Sequence, residues 1–505
     1  MTAPVIVVGA GVGGLSAAVA LAAQGRAVQV IERDAAPGGK LRPVPVGGLA
    51  LDAGPTVMTM RDVFDGLFAL AGERLDDHLR LTPLHTLARH AWPDGSRFDL
   101  FADRAATVDA IGRLAGARAA QQYAAFCVRS RQIFETLDGP YLRDTRPNPL
   151  SLSLRCARRG LGHWLGLMRI SPFETLWRAL GRQFDDARLR QLFARYATYG
   201  GSSPLAAPAT LMLIAHVEQA GVWSVEGGMY RLADALAALA RRLGVTIRCG
   251  QGVARLDVER GRVSGVWLEG DAREPEWLPA SAVIFNGDSA ALPAGLLGPA
   301  VDNAVPVRPA AGRSLSALTW NLLTPARGFP LLRHTVFFSS DYPREFQELF
   351  GQRRLPTEPT VYVCAQDRGD TAPADGGAPE RLLCLVNAPA CGDAGAPADD
   401  EIEACESRTF AHLARLGLQL APASPGRLRH APADWARRFP ATGGALYGQA
   451  THGWRASFSR PASACRVPGL YLAGGSAHPG AGVPMAALSG LLAARQCMSD
   501  RPGRI

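Results

Sequence analysis

Three glycines near the start of the chain have the spacing that dinucleotide binding requires. Gly9, Gly11 and Gly14 lie in VVGAGVGG, directly after PVIVV, an all-apolar run typical of a buried parallel strand. Gly9 allows a tight turn, Gly11 lets the backbone approach a pyrophosphate, and Gly14 lets the following helix pack closely on the strand. Backbone amides at the start of that helix attract phosphate charge. We therefore predict a phosphate-binding turn here.

Glu32 supplies the next part of such a site. The helix LSAAVALAAQ is expected to end at Gly25, and AVQVIE is typical of a second strand that closes with Glu32. A carboxylate about 20 residues beyond the glycines can accept hydrogen bonds from the ribose hydroxyls of an adenosine and disfavours a 2′-phosphate. FAD or NAD is therefore expected rather than NADP. The alternative is a glycine-rich turn in an ordinary α/β unit.

A second glycine-rich loop follows the second strand. ERDAAPGGKLRPV contains Gly38, Gly39, Lys40 and Arg42. Two glycines followed by two cations create another environment that favours phosphate, close to the first loop in sequence. The alternative for Lys40 and Arg42 is a pair of solvated surface cations.

The most glycine-dense polar loop lies almost at the other end of the chain. AGGSAHPGAGVP, residues 473–484, separates the apolar strand LYLA from the apolar helix PMAALSGLLAAR. Its glycines leave backbone amides open, and the start of the helix adds a favourable dipole for negative charge. Two such loops, a whole chain apart, predict one ligand that is held from both ends. The candidate contacts in this loop are Gly474, Gly475, Ser476, Gly482, Val483 and Pro484.

These loops, together with the segment LDAGPTVM, resemble the FAD-dependent amine oxidase and phytoene desaturase superfamily. The resemblance implies that the cofactor is FAD, that the Gly-Pro-Thr segment lies near the flavin ring and that one backbone contact reaches the adenine. The sequence departs from the pattern at Ser476, where many relatives have an acid or threonine, and at Met485, where many have glycine. The cofactor candidates added by the resemblance are Arg33, Lys40, Arg42, Thr56 and Val253.

Residues 313–370 contain the most distinctive segments of the chain: RSLSALTWNL, HTVFFSSDYPREFQELF and PTVYVCAQDR. They resemble one branch of the carotenoid desaturases, the hydroxyneurosporene or methoxyneurosporene dehydrogenases of photosynthetic bacteria. The resemblance implies that a C-3,4 double bond is introduced into an acyclic 1-hydroxycarotenoid by hydride transfer to flavin, with oxygen or a quinone as electron acceptor. The alternatives are a general phytoene desaturase, a carotenoid isomerase, an amine or protoporphyrinogen-type oxidase, and a non-catalytic FAD-binding scaffold.

The same region supplies the candidates for substrate contact. Trp320 and Phe337 are expected to line an apolar tunnel, and Asn321, Asp367 and Arg368 are expected to meet the terminal hydroxyl. The alternatives are core packing for the aromatic residues and a surface ion pair for Asp367 and Arg368. The sequence identifies neither a catalytic base nor a metal site.

The elements that must position these residues indicate an α/β protein with a Rossmann-like FAD-binding domain of the amine oxidase and phytoene desaturase type. Its three pieces are expected at residues 1–80, 225–290 and 465–505. In the second piece, a Gly-Gly turn, an amphipathic helix, a strand and a hairpin around ERGR follow one another. Residues 81–224, of which 104–222 are mostly helical by periodicity, are expected to form the helical membrane-facing part and part of an inserted α+β substrate domain, and residues 291–464 are expected to form the rest of that domain.

The composition excludes several classes of protein. Apolar residues make up 47% of the 505-residue chain, enough for a large core. The nine cysteines lack C-x-x-C spacing, so a disulfide framework and a structural zinc site are not expected. A net charge of +9 without a dense basic run predicts no nucleic-acid partner. No secretory signal and no apolar stretch long enough to span a membrane are present.

One segment nevertheless predicts contact with a membrane. Residues 147–180 combine apolar and aromatic side chains with clustered arginines, a composition that suits a helix lying on anionic lipid. We therefore expect a cytoplasmic protein attached peripherally to the inner face of the membrane. The alternative is a buried helix with exposed arginines. The residues that motivate the prediction are Leu150, Arg155, Arg158, Arg159, Leu161, Trp164, Leu165, Leu167 and Met168.

Overall fold

A five-stranded parallel sheet joins strands from widely separated parts of the chain. In spatial order they are Leu470–Leu472, Ala282–Phe285, Val5–Val8, Val28–Ile31 and Thr246–Arg248. Every neighbouring pair is parallel, and the strands are rich in buried Val and Ile, as expected when helices cover both faces. The computed structural model describes residues 3–145, 147–160, 162, 164, 166–167, 170–270, 276–369, 378–421 and 426–500.

The two helices that follow the glycine loops pack directly on each other. Helix Val12–Ala22 follows the first strand, and helix Val483–Ser499 follows the strand Leu470–Leu472. At their crossing, a Cβ atom at Gly490 would lie only 2.0 Å from the carbonyl oxygen of Gly13, so this approach requires glycine. The crossing holds the two glycine loops side by side.

The middle of the chain completes this layer in the predicted order. Helix Tyr230–Arg242 is followed by the strand Thr246–Arg248 and then by the hairpin of strands Val253–Glu259 and Arg262–Leu268. Trp277–Pro279 adds a third antiparallel strand to that hairpin. The prediction of a Rossmann-like α/β layer is therefore confirmed. We propose the division of the chain at residues 80, 224, 290 and 464, which the origin of the sheet strands supports.

A second, seven-stranded sheet is mainly antiparallel. In spatial order its strands are Arg427–His430, Ser316–Thr324, Glu380–Ala388, Val361–Ala365, His334–Phe337, Thr86–Ala91 and Arg97–Phe101. Only the pairing of His334–Phe337 with Thr86–Ala91 is parallel in this described sheet. The register places Thr319, Leu385, Tyr362, Val336 and His90 in one row across five strands.

Helices cover the seven-stranded sheet and form a separate apolar cluster. The long helix Arg104–Leu137 is interrupted at Gly116, whose φ of +88° breaks the helical path. The other described helices of this part are Pro149–Arg158, Leu176–Gln183, Ala187–Ala194, Tyr196–Tyr199, Leu213–Gln219, Tyr342–Phe346, Asp399–Arg415 and Pro432–Arg438. Helix Arg61–Ala69 instead packs in the core of the parallel sheet. Short strand pairs join Pro43–Val46 with Leu49–Asp52, Leu81–Pro83 with Trp223–Val225, and Ala326–Arg327 with Gln419–Leu420.

No helix in the described part of the chain is both long and apolar enough to cross a membrane. Helix Pro149–Arg158 occupies the start of the segment that the sequence assigned to a lipid surface. Three residues of that prediction, Leu161, Leu165 and Met168, lie outside the described residues.

Candidate cofactor and substrate site

Both glycine loops face one cavity of about 950 Å³. Gly9 and Gly11 line it from the start of the chain, and Gly474, Gly475 and Gly482 line it from the end. Helix Val12–Ala22 begins at Gly11, and helix Val483–Ser499 begins at Gly482, neither with a side-chain cap. Two helix N-termini thus present uncapped amides at one cavity, an arrangement that favours a bound phosphate.

Asn286 connects the two loops, and the sequence analysis did not select it as a site residue. Its Nδ2 donates a hydrogen bond of 3.1 Å to the carbonyl oxygen of Gly9. A Cβ atom at Gly13 would lie 2.6 Å from Asn286 Oδ1 and 2.8 Å from the amide nitrogen of Gly474. Asn286 directly follows the buried strand Ala282–Phe285. A polar residue directly after a buried strand is the sequence feature that could have identified Asn286 as a site residue.

Glu32 lies at the end of the second strand and lines the cavity. Its carboxylate accepts hydrogen bonds from the backbone amides of Ala10, at 2.6 Å, and Asp34, at 2.8 Å. Burial raises the pKa of Glu32 despite these two donors. Each carboxylate oxygen keeps a free lone pair, so the group can still accept from ribose hydroxyls.

Gly14 acts in packing rather than at the cavity surface. A Cβ atom there would lie 2.1 Å from the carbonyl oxygen of Gly9, so only glycine lets the helix approach the strand this closely. The predicted packing role of Gly14 therefore has a direct steric basis.

The second loop places two cations, Lys40 and Arg33, against the cavity. Lys40 lines it and donates a hydrogen bond of 2.5 Å to the carbonyl oxygen of Leu446. Burial lowers the pKa of Lys40, and the carboxylate of Asp288 opposes that change. Arg33 also lines the cavity and donates to the carbonyl oxygen of Arg438 at 2.6 Å. Lys40 is therefore not a solvated surface cation.

Arg42 lies outside the cavity lining, although the sequence grouped it with Lys40. Its guanidinium stacks over the Trp435 ring at 5.5 Å, and burial lowers the pKa of Arg42 to about 10. Trp435 itself lines the cavity, so Arg42 is separated from the cavity by that ring. Arg42 is close to Lys40 in sequence but differs from it in orientation, and sequence spacing alone does not separate the two.

Thr56 starts a chain of hydrogen bonds that leads to the seven-stranded sheet. Its Oγ1 lies 2.6 Å from the hydroxyl of Tyr362, and that hydroxyl lies 2.7 Å from Nδ1 of His334. All three residues line the cavity. The sequence selected Thr56, but it did not select Tyr362 as a polar contact or His334 at all.

The C-terminal loop is fixed by hydrogen bonds from both sides. The amide of Ser289 donates to Ser476 Oγ at 2.9 Å, and the amide of Gly474 donates to Ser489 Oγ at 2.7 Å. Arg460 donates to the carbonyl oxygen of Gly475 at 2.8 Å. The remaining predicted contacts, Val253, Val483 and Pro484, also line the cavity.

The two aromatic residues that were predicted to line the tunnel face away from the cavity. Side chains alternate along a strand, and because Thr319 lines the cavity, Trp320 points to the opposite face of the sheet. Trp320 is fully buried there and donates to Glu406 at 2.8 Å. Phe337 packs edge-on against Phe329 at 4.8 Å in the same core. The alternative of core packing describes both residues.

The predicted polar contacts also have other partners. Asn321 Nδ2 donates to the carbonyl oxygen of Asp52 at 3.0 Å. Asp367 forms an exposed ion pair with Arg381, as the surface alternative proposed. Arg368 forms a buried ion pair with Glu380 at 2.6 Å. None of Asn321, Asp367 and Arg368 is among the described residues that line the cavity.

A buried polar cluster that the sequence analysis missed lines the cavity instead. Arg195 donates to the hydroxyl of Tyr199 at 3.0 Å. Tyr196 and Tyr199 donate to the two carboxylate oxygens of Glu218, at 2.7 and 2.8 Å. Burial raises the pKa of Glu218. Three of these residues lie in the short run RYATY, which was the available signal.

Apolar side chains from the helical part form much of the remaining lining. A long hydrocarbon fits such a surface because it loses contact with water without leaving polar groups unpaired. These residues are Leu137, Leu142, Leu152, Ile170, Leu192, Leu211, Leu213, Ile214, Val217 and Val222.

The residues present fit FAD. Uncapped amides from two helices suit its pyrophosphate, Glu32 suits its ribose, and Lys40 adds a cation beside them. Among the described residues, no cluster of three or more His, Cys, Asp or Glu side chains could hold a metal ion.

Comparisons with known proteins agree with this site. Residues 12–498 match the family described as flavin containing amine oxidoreductase. The chain is 52% identical to the hydroxyneurosporene desaturase of Rubrivivax gelatinosus, covering 98% of this chain and 93% of that protein. It is 45% identical to the hydroxyneurosporene desaturase of Cereibacter sphaeroides, covering 99% and 98%. An oxidoreductase structure from Methanosarcina mazei shares the fold, with a TM-score of 0.60, 17% identity, and coverage of 98% and 100%.

The chain therefore belongs to the family of flavin-containing amine oxidoreductases. Its fold and cofactor are those of that family, so FAD is the cofactor and the protein is an oxidoreductase. Within the family it is of the phytoene desaturase type, and it resembles hydroxyneurosporene desaturases over nearly its full length.

Proposed function

We propose that this protein introduces a C-3,4 double bond into acyclic 1-hydroxycarotenoids, such as 1-hydroxyneurosporene. The observation that carries the proposal is its similarity, over nearly the full length of both chains, to proteins named hydroxyneurosporene desaturase. The apolar lining of the cavity beside the glycine loops supports it, because the substrate is a long polyene with one polar end.

In the proposed reaction, a hydride and a proton leave adjacent carbons of the substrate, and a double bond forms between them. When bound, FAD supplies the acceptor for the hydride and its two electrons. The glycine loops, Glu32 and Lys40 would hold the cofactor in one orientation. The apolar side chains of the helical part would bind the polyene and keep water from the reacting carbons.

We also propose peripheral attachment to the cytoplasmic face of the membrane, where such a substrate is dissolved. Helix Pro149–Arg158 supports this proposal because its two sides differ. Leu152 lines the cavity, whereas Leu150 is 71% exposed and Leu154 is 53% exposed. Phe173, which lies against the Trp454 ring, is 79% exposed. A carotenoid leaving the lipid beside this helix would reach the cavity after a short path. A lipid-soluble quinone is then an accessible electron acceptor, with oxygen as the alternative.

The arginines of this segment have different roles. Arg155 forms an ion pair with the buried Asp144, so its loss would damage the fold as well as any lipid contact. Arg158 and Arg159 are exposed. The charge test therefore uses Arg158→Gln with Arg159→Gln. We expect weaker binding to anionic liposomes, by about 1 kcal/mol per charge, and normal FAD content. Binding that is unchanged and insensitive to salt would place the contact elsewhere.

The activity test uses the full chain loaded with FAD. Incubation without oxygen in liposomes that contain 1-hydroxyneurosporene should bleach the flavin absorption and yield a red-shifted product that lacks two hydrogens. A product of unchanged mass would indicate an isomerase. An unbleached flavin with every carotenoid tested would indicate a scaffold, and faster turnover of phytoene would indicate a general phytoene desaturase.

A further inference from the structure

The reaction limits where the substrate hydroxyl can bind, and this inference rests on the proposed function. Three covalent bonds separate the hydroxyl oxygen on C-1 from C-3, so the oxygen lies within about 4 Å of a reacting carbon. A hydrogen bond adds about 2.8 Å. The group that recognises the hydroxyl must therefore lie within about 7 Å of the reacting carbons, beside the cofactor and not at the far end of a tunnel.

The segment around Thr56 lies against the cofactor loops. A Cβ atom at Gly54 would lie 1.8 Å from the carbonyl oxygen of Lys40, and one at Gly39 would lie 3.3 Å from the Cα of Gly11. These contacts pack the two glycine loops and the Thr56 segment together. From Thr56, the hydrogen bonds through the Tyr362 hydroxyl end at Nδ1 of His334.

His334 carries a buried nitrogen without a partner at this place. The residue is 4% exposed and lines the cavity, and its Nε2 has no hydrogen-bond partner among the described residues. Leaving such a group unpaired is unfavourable, so a ligand with a matching polar group is favoured there. Around it, Leu383 and Leu385 on the same face of the sheet offer apolar surface, and Arg195, whose guanidinium lies 5.4 Å from the Tyr362 ring, also lines the cavity.

We propose that Nε2 of His334 binds the tertiary hydroxyl of the substrate and thereby selects hydroxylated over plain acyclic carotenoids. Burial and the charges of Arg333 and Arg195 lower the pKa of His334 to about 3, so the imidazole is neutral and carries one N–H. Tyr362 has a single proton, which it donates either to His334 or to Thr56. His334 Nε2 is a donor in the first case and an acceptor in the second, and an alcohol satisfies both.

His90 is the nearest rival on the same face of the sheet. It is 3% exposed, lines the cavity, and its Nδ1 also lacks a partner among the described residues. It lies one strand beyond His334, however, with its ring 5.9 Å from the Phe338 ring and 6.2 Å from the Trp92 ring. Within the described part of the chain, no hydrogen bond joins His90 to Thr56 or to Tyr362. His90 therefore provides the matched control.

The experiment measures competition between 1-hydroxyneurosporene and neurosporene in the same liposomes, as the ratio of their kcat/KM values. In His334→Phe we expect this ratio to fall at least about tenfold, because the hydroxyl is left unpaired. In His90→Phe we expect it to stay within about twofold of the wild-type ratio. A preserved ratio in His334→Phe, or a collapse in His90→Phe alone, would overturn the assignment.

Two further outcomes distinguish a failure of the His334 proposal from a failure of the proposed function. If the wild type shows no preference for the hydroxylated substrate, the proposed function fails before His334 is considered. If His334→Phe does not retain FAD, Tyr362→Phe replaces it. That change removes the hydrogen-bond partner of Nδ1 that holds the His334 ring in its orientation, and we expect the ratio to fall by about threefold or more. An unchanged ratio in FAD-loaded Tyr362→Phe would contradict the proposal.

Discussion

Replacing Gly490 by alanine tests whether the helix crossing builds the cofactor site. The added Cβ atom would lie 2.0 Å from the carbonyl oxygen of Gly13 and 3.0 Å from the amide nitrogen of Ala17. Both are backbone atoms of a buried helix, so they cannot rotate away. Ordinary contact distances require the helices to separate by about 1 Å or more. Overpacking of this kind costs about 1–3 kcal/mol, and backbone contacts place the change at the upper end.

Separating the two helices should also disturb the cofactor site, because Gly13 and Gly474 lie next to each other at the crossing. We expect FAD affinity to fall about tenfold, which corresponds to about 1.4 kcal/mol of binding free energy. The midpoint of thermal unfolding should fall by up to about 3 °C, and added FAD should recover only part of that change. Flavin absorbance per purified chain and melting curves with and without FAD measure both effects.

Gly66→Ala is the matched control. Gly66 lies in helix Arg61–Ala69, and a Cβ atom there would meet no other atom within 4 Å. That substitution should stabilise the protein by up to about 1 kcal/mol through helix propensity, with normal FAD content. If Gly490→Ala gave the same melting temperature and flavin content as Gly66→Ala, the close crossing would not be what positions the loops.

Three further variants test separate features of the structure. Gly11→Val should give folded protein without yellow flavin, because the branched side chain occupies the space of the pyrophosphate, and a normal flavin spectrum would refute the assigned loop. Arg368→Leu should lower the free energy of unfolding by about 3–5 kcal/mol in denaturant titrations, because it leaves the Glu380 carboxylate buried and unpaired. Its ratio of hydroxylated to plain substrate turnover should be unchanged, and a large fall would return Arg368 to the substrate site. The double variant Leu150→Ser with Leu154→Ser should lower the free energy of binding to neutral liposomes by about 1.5 kcal/mol per leucine, at normal FAD content. Flotation with the liposomes measures this binding, and unchanged flotation would show that these leucines do not contact the membrane.

The cofactor half of the site could be predicted from sequence because its signals are local. Glycine spacing, the strand before it and the acid after it fall within a few dozen residues, and each has one physical explanation. Asn286 was missed because its role depends on which strand lies beside the first, and strand order is not written in local sequence. The pairing of Gly13 with Gly490 is similarly a contact between distant segments.

The predicted substrate contacts differ from the structure for another reason. Sequence predicted that Trp320 and Phe337 line a tunnel, but it did not show which face of strands Ser316–Thr324 and His334–Phe337 meets the cavity. A shift of one position exchanges Thr319 for Trp320 and reverses every side chain. The polar cluster around Arg195 was missed because its polar residues line a cavity. In sequence, such residues have the same pattern as polar residues on a helix face that is exposed to solvent.

The interleaved strand order of the parallel sheet also bears on how the protein is made. The first strand, Val5–Val8, pairs with Ala282–Phe285, which in turn pairs with Leu470–Leu472. At a translation rate of about 5–20 residues per second, the outermost strand leaves the ribosome roughly 25–90 s after the first. Until then, the strand Ala282–Phe285 has one unpaired edge, and an unpaired edge can pair with another chain. The C-terminal glycine loop follows the outermost strand, so FAD can be held by both glycine loops only after that strand has been made.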